Sequence, residues 1–216
     1  VLQDEIIYSA RRNLPHIQTV NSYLFVTWRL AFTLPQVLRD KLISFKLQAH
    51  NKPIDPKSSN TEDSDYLADK LYFEYYDTLL GQDKSIPQSL NQSQLAEIVV
   101  AALHFYDLKH YSLICHCVMP NHVHLVIKPM KITDGNPYLL SDIMRNIKGY
   151  TSKELNKILN STGMIWQTES YDRIMRTEKE LQNTIEYTLY NPVKAGICKA
   201  IRDYPYSYVN PQFFSI

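Results

Sequence analysis

The chain has 216 residues, 44% of them hydrophobic and 21% charged, with a formal net charge of +1. Such a length and balance support one well-buried core with an elaboration and argue against disorder, while the charge alone does not announce a nucleic-acid partner. No apolar run approaches the roughly 18 residues of a membrane span, the start Val-Leu-Gln-Asp-Glu lacks a secretion-signal pattern, and the three cysteines, Cys115, Cys117 and Cys198, form no CxxC pair. The expectation is a single cytoplasmic domain over 1–216, without membrane partner, zinc ribbon or disulfide framework.

A short basic arm, Arg11-Arg12-Asn13-Leu14-Pro15-His16, leads into Tyr23–Leu30, whose β-branched and aromatic residues predict a first strand. Pro35 suits the first turn of a helix reaching about His50. Asn51–Ser64, with Pro53, Pro56 and several Ser and Asn, reads as a loop. Tyr66–Leu80 and Ser93–Leu108 are helical by spacing, with Ser93 a candidate cap. Residues 35–108 thus form a helical insertion after the first strand.

Tyr111–Cys117 and His122–Lys128 flank Met119-Pro120-Asn121 and predict an antiparallel hairpin. Leu139–Leu159 carries a clear apolar stripe and is the best helix in the chain. A strand-like segment within Met164–Met175 and a helix from about Glu178 to Tyr190, ended by Asn191-Pro192, complete the order. An α+β architecture follows, with an antiparallel sheet and a ferredoxin-like βαββαβ core.

Charge is distributed unevenly: residues 1–108 hold 10 Lys and Arg against 13 Asp and Glu, and residues 109–216 hold 13 against 9. A phosphate-facing surface therefore belongs mainly to the second half.

In the second hairpin strand, His122 and His124 leave the same face because side chains alternate with period two. Two imidazoles aimed at one point suit a metal, although hard cations such as Mg²⁺ or Mn²⁺ want oxygen ligands as well. The long helix offers Tyr150 and Glu154, one turn apart at the edge of its apolar stripe. If that helix lies on the histidine face, Glu154 completes the metal set and Tyr150 is a nucleophile. Asp142 is the other acidic residue near enough in sequence, and a water-using metallohydrolase would need more carboxylates than these.

Met119-Pro120-Asn121-His122-Val123-His124-Leu125-Val126-Ile127 resembles the signature of the HUH transposases, and in particular the REP-associated tyrosine transposases. Further stretches resemble the same family: Leu14-Pro15-His16 with Phe25–Leu30, Lys148-Gly149-Tyr150-Thr151, Trp166-Gln167 with Tyr171-Asp172-Arg173 and Arg176, and Tyr187 with Asn191-Pro192-Val193-Lys194-Ala195-Gly196. The resemblance implies a metal-dependent endonuclease and strand transferase for single-stranded or hairpin DNA, working as monomer or homodimer through a 5′-phosphotyrosine. It implies His122, His124 and Glu154 as ligands of Mg²⁺ or Mn²⁺ and Tyr150 as nucleophile, with Tyr138, Tyr171 and Tyr187 as competitors. Arg11, Arg12, Arg145, Lys148, Lys153, Lys157, Arg173 and Arg176 are candidate DNA contacts, with Trp28 and Trp166 as stacking surfaces. The alternative is a catalytically silent hairpin-DNA-binding protein of the same fold.

Overall fold

The computed structural model describes residues 6–11, 15–50, 61–133 and 135–213. The chain divides into two compact units, one of residues 1–31 with 88–216 and one of residues 32–87.

The first unit is built on a five-stranded antiparallel sheet. Its strands are β3 (Tyr23–Arg29), β4 (Tyr111–Val118), β5 (His122–Pro129), β6 (Tyr171–Met175) and β7 (Ser207–Val209), in the order β6-β3-β5-β4-β7. A separate antiparallel ribbon precedes them, β1 (Ile6–Arg11) with β2 (Pro15–Thr19), where the sequence suggested only a basic arm. The first four strands in that order, with their crossovers, are the expected ferredoxin-like core, and β7 is an added edge strand that the irregular, aromatic tail concealed. The β4–β5 turn closes as predicted, Met119 N–H donating to the His122 carbonyl at 2.8 Å.

Register assigns the two faces of the sheet. His124 is the Cα partner of Thr27 on β3 and of Cys117 on β4, and His122 is the partner of Arg29. Residues directly opposite share a face, so these lie together, with Phe25 and Val126. Val123, Leu125, Trp28 and His116 point the other way.

Helices α3 (Ser93–Tyr106) and α4 (Leu140–Ile158) pack on the face opposite the histidines. His104 of α3 meets His116. Trp166, edge-on to Trp28 at 6.0 Å between ring centroids, donates its indole N–H to Thr151 of α4 at 2.8 Å. Helix α5 (Glu178–Lys194) covers the histidine face. Thr184 accepts from Arg173 of β6, and Tyr187 rests on Phe25.

The first turn of α4 has no local side-chain cap. The buried Gln18 of β2 takes that role from a distance, accepting from Leu140 N–H at 2.8 Å while donating to the Tyr138 carbonyl at 2.9 Å. Ser93 is likewise no cap, because α3 begins at that residue and Gln92 precedes it without a side-chain bond.

Helix α5 continues one turn past the predicted stop. Pro192 sits in the last turn, where its missing N–H costs one bond, and a Schellman closure compensates: Ile197 N–H bonds the Pro192 carbonyl and Gly196 N–H the Val193 carbonyl, both at 2.9 Å. Gly196 adopts φ +71°, a conformation that favours glycine. This extra turn keeps Asn191 in helical register with Tyr187.

The second unit holds α1 (Gln36–His50) and α2 (Thr61–Gln82), packed around Leu38, Leu80 and Ile86. Residues 51–60 of the predicted loop lie outside the described residues. The predicted insertion extended to residue 108, whereas α3 groups with the sheet, because Leu95, Val99 and Leu103 are fully buried there. The three cysteines are thiols, Cys115 and Cys117 buried in β4. No helix among the described residues is long and apolar enough to cross a membrane.

One stability prediction arises here. Thr151 accepts from Trp166 while its hydroxyl donates to the Ile147 carbonyl at 2.7 Å, and both side chains are buried. Thr151→Val keeps the shape and orphans the indole N–H, so urea denaturation should show a loss of about 1–3 kcal/mol.

Candidate metal and nucleophile site

His122 and His124 begin β5, and both imidazoles are buried. Each ring is oriented through its Nδ1. His122 Nδ1 lies 2.5 Å from Asn121 Oδ1, an acceptor, so this nitrogen carries the proton. His124 Nδ1 lies 2.8 Å from Thr27 Oγ1. With protons on both Nδ1 atoms, the two Nε2 lone pairs are left facing each other, 3.0 Å apart.

Two lone pairs at that distance repel unless a proton or a cation lies between them. Two nitrogens about 2.1 Å from one cation and at right angles are about 3.0 Å apart, so the pair fits a divalent metal.

Helix α5 supplies the next neighbours. Asn191, also buried, places its amide Nδ2 2.9 Å from His124 Nε2. Turning the amide about its last torsion would present Oδ1 at the same place, the oxygen donor that hard cations prefer. Tyr187, one turn earlier on the same helix face, sets its ring 5.8 Å from that of His124 and edge-on to it. It is half-buried, and Lys194, two turns further along, holds its ammonium 5.8 Å from the phenol ring.

Residues 87–188 match the Transposase IS200 like family. Just under half of the chain is thus similar to the IS200-like transposases. The chain is 25% identical over 138 residues to a Haemophilus influenzae protein assigned as a REP-associated tyrosine transposase, an alignment covering 62% of this chain and 77% of the relative. Its fold is similar to that of a REP-associated tyrosine transposase bound to a REP hairpin, with a TM-score of 0.52, 16% identity, and coverage of 93% of this chain and 82% of that one.

The structure does not bring Tyr150 and Glu154 to the histidines. Their helix lies on the opposite face of the sheet. The Tyr150 side chain is 49% exposed, and Glu154 pairs with Lys157 at 2.7 Å. Alternation along β5 established that the histidines share a face but not which helix covers it. Asn191 and Thr27 were missed for that reason, although Asn191 stands four residues after Tyr187, the same spacing that singled out Tyr150 and Glu154.

Of the expected DNA contacts, Arg145, Lys148, Lys153 and Lys157 belong to α4 and its face of the sheet, Arg145 being bound to Asp142 at 2.8 Å. Arg173 lies on the histidine face, bonded to Thr184 at 3.0 Å, and Arg176 follows β6 at an exposed position. Arg11 is in β1, while its side chain and the whole of Arg12 lie outside the described residues. Trp28 and Trp166 are buried against each other and offer no stacking surface. Among the other tyrosines, Tyr171 of β6 touches Phe25, and Tyr138 stacks on His110.

Lys148 has a structural role, donating to the carbonyls of Gln167 and Thr168 at 3.0 and 3.2 Å. Burial lowers its pKa to about 8, with Glu169 opposing the shift. An unfolded lysine titrates near 10.5, so from about pH 8 upward the unfolded chain binds the extra proton and stability rises with pH. The rise should end near pH 10, where the buried phenols Tyr111 and Tyr204, both raised by burial, begin to oppose it. Melting curves from pH 7 to 10 should show the increase in wild type and a flatter profile in Lys148→Met.

Thr27 is the partner that holds the His124 tautomer. Thr27→Val keeps the β-branched shape and should weaken Mn²⁺ binding about 10- to 100-fold, measured by calorimetry, with the sheet intact.

Proposed function

We propose that this chain is a single-strand DNA endonuclease and strand transferase whose nucleophile is Tyr187 and whose metal-holding set is His122, His124 and Asn191. The observation that carries this reading is the meeting of Tyr187 and Asn191, one turn apart on α5, with the same imidazole, His124. The similarity to a hairpin-bound transposase supports single-stranded or hairpin DNA as the substrate.

A divalent cation held by these residues supplies Lewis-acid polarisation of the scissile phosphate. The chain's own contribution is positional. Tyr187 gives up its phenolic proton as its oxygen attacks phosphorus, forming a 5′-phosphotyrosine. The P–O bond to the neighbouring nucleotide breaks, and its 3′-oxygen takes up a proton to become a free hydroxyl. The Lys194 ammonium lies over the Tyr187 ring, 5.8 Å from its centroid, a cationic group near the attacking residue that could meet a phosphate oxygen. The bond formed keeps the energy of the one broken, so another 3′-hydroxyl reverses the step and joins a new strand.

Arg173, on the same sheet face, and Lys194 are proposed as phosphate contacts. Because both imidazoles are buried, the phosphate approaches past the half-buried Tyr187 as neighbouring side chains move aside. Arg11, Arg12, Arg145, Lys148, Lys153, Lys157 and Arg176 are assigned no contact with the reacting phosphate, and those on α4 would serve only DNA that wraps to the other face.

The test is incubation of labelled single-stranded hairpin oligonucleotides with the protein and Mn²⁺ or Mg²⁺, followed by denaturing electrophoresis. A metal-dependent covalent band supports the reading. Retention of the hairpin without any covalent band would replace it with the silent DNA-binding protein.

A further inference from the structure

A second pair of histidines lies on the opposite face of the sheet. His104, in the last turn of α3, and His116, in the middle of β4, bring their Nε2 atoms to 3.2 Å with rings crossed at 81°. The pair at the candidate reaction site has 3.0 Å and 79°. The two arrangements are nearly the same, although one joins neighbours along a strand and the other joins a helix to a strand.

His116 is buried and His104 is exposed, so the meeting point is reached from the His104 side. The Tyr208 ring closes another side, stacked on His116 at 5.7 Å and edge-on to His104 at 4.7 Å. His116 Nδ1 is buried without a hydrogen-bond partner, so Nε2, facing His104, is the edge of the ring that meets another polar group. A cation between the two Nε2 atoms would take the place of a ring-to-ring hydrogen bond. Asp107, one residue past the end of α3, adds a carboxylate near Tyr208 while accepting from Leu113 N–H at 2.8 Å.

We propose that His104 and His116 form a second metal site, for a borderline transition ion of the Zn²⁺, Ni²⁺ or Cu²⁺ class, with solvent completing the coordination. Nitrogen ligands without a converging oxygen select these ions over Mg²⁺ or Ca²⁺. The ion ties the end of α3 to the central sheet and stabilises the fold by mass action. Nothing in this proposal depends on which tyrosine attacks DNA.

The test uses the untagged full chain and Zn²⁺ or Ni²⁺, with calorimetry for stoichiometry and thermal melting for stability. His104→Ala removes the exposed partner of the buried His116, so it should melt somewhat below wild type without metal, bind one equivalent fewer, and lose that ion's share of the metal-induced rise in melting temperature. The His122→Ala, His124→Ala double variant should keep the equivalent that His104→Ala loses. Equal stoichiometry in wild type and His104→Ala overturns the site, and that comparison decides the matter alone should the double variant fold poorly. Mg²⁺ in place of Zn²⁺ should give no His104-dependent binding, and a His104-dependent Mg²⁺ equivalent would contradict the assigned ion class.

Discussion

Tyr187→Phe should reduce covalent protein–DNA product to background, whereas Tyr150→Phe should leave it at the wild-type level. The change at Tyr187 removes one oxygen and keeps the ring that packs on Phe25 and His124, so stability should move by no more than about 1 kcal/mol. Loss of product with an unchanged melting curve would then report chemistry and not folding. Tyr150 serves as the control because it has the same residue type and similar spacing to a polar partner, but lies on the helix across the sheet. If both variants lost the product, the tyrosine helix would have to act across two subunits, and if only Tyr150→Phe did, the face assignment would fail.

His122→Ala should abolish metal-dependent cleavage and Mn²⁺ binding together. One Nε2 donor remains, and one imidazole with one amide makes a poor site for a hard cation. The substitution also removes the buried hydrogen bond between His122 and the Asn121 side chain and a fully buried ring, so some loss of stability without metal is expected. Asn191→Asp separates the roles: a carboxylate gives the cation a better ligand than the amide, so binding should strengthen while Asn191→Ala weakens it. Calorimetry with Mn²⁺ on all three variants, beside melting without metal, distinguishes lost coordination from lost fold.

Much of the fold was legible in the sequence. The hairpin around Met119-Pro120-Asn121 and the α4 stripe came through because turn chemistry and apolar period are local signals. The ribbon β1–β2 and edge strand β7 did not, since short edge strands lack the alternation that burial on one face imposes. Pro192 misled in the opposite sense: proline usually ends a helix, but the Gly196 closure lets α5 run one turn further.

At the site, period two identified the histidines from sequence, whereas the partner helix was a matter of tertiary placement. Both crossover helices of this core occupy the face opposite the histidines, so the helix that meets them had to be the one after β6. That rule, applied to the strand order, would have pointed to Tyr187 and Asn191 over Tyr150 and Glu154.

The most direct measurement is proteolysis of the trapped protein–DNA adduct followed by mass spectrometry of the nucleotide-bearing peptide. The phosphotyrosine should map to the segment holding Tyr187, with the DNA joined through its 5′ end. Modification at Tyr150 or Tyr171, or an adduct joined through a 3′ end, would contradict the account.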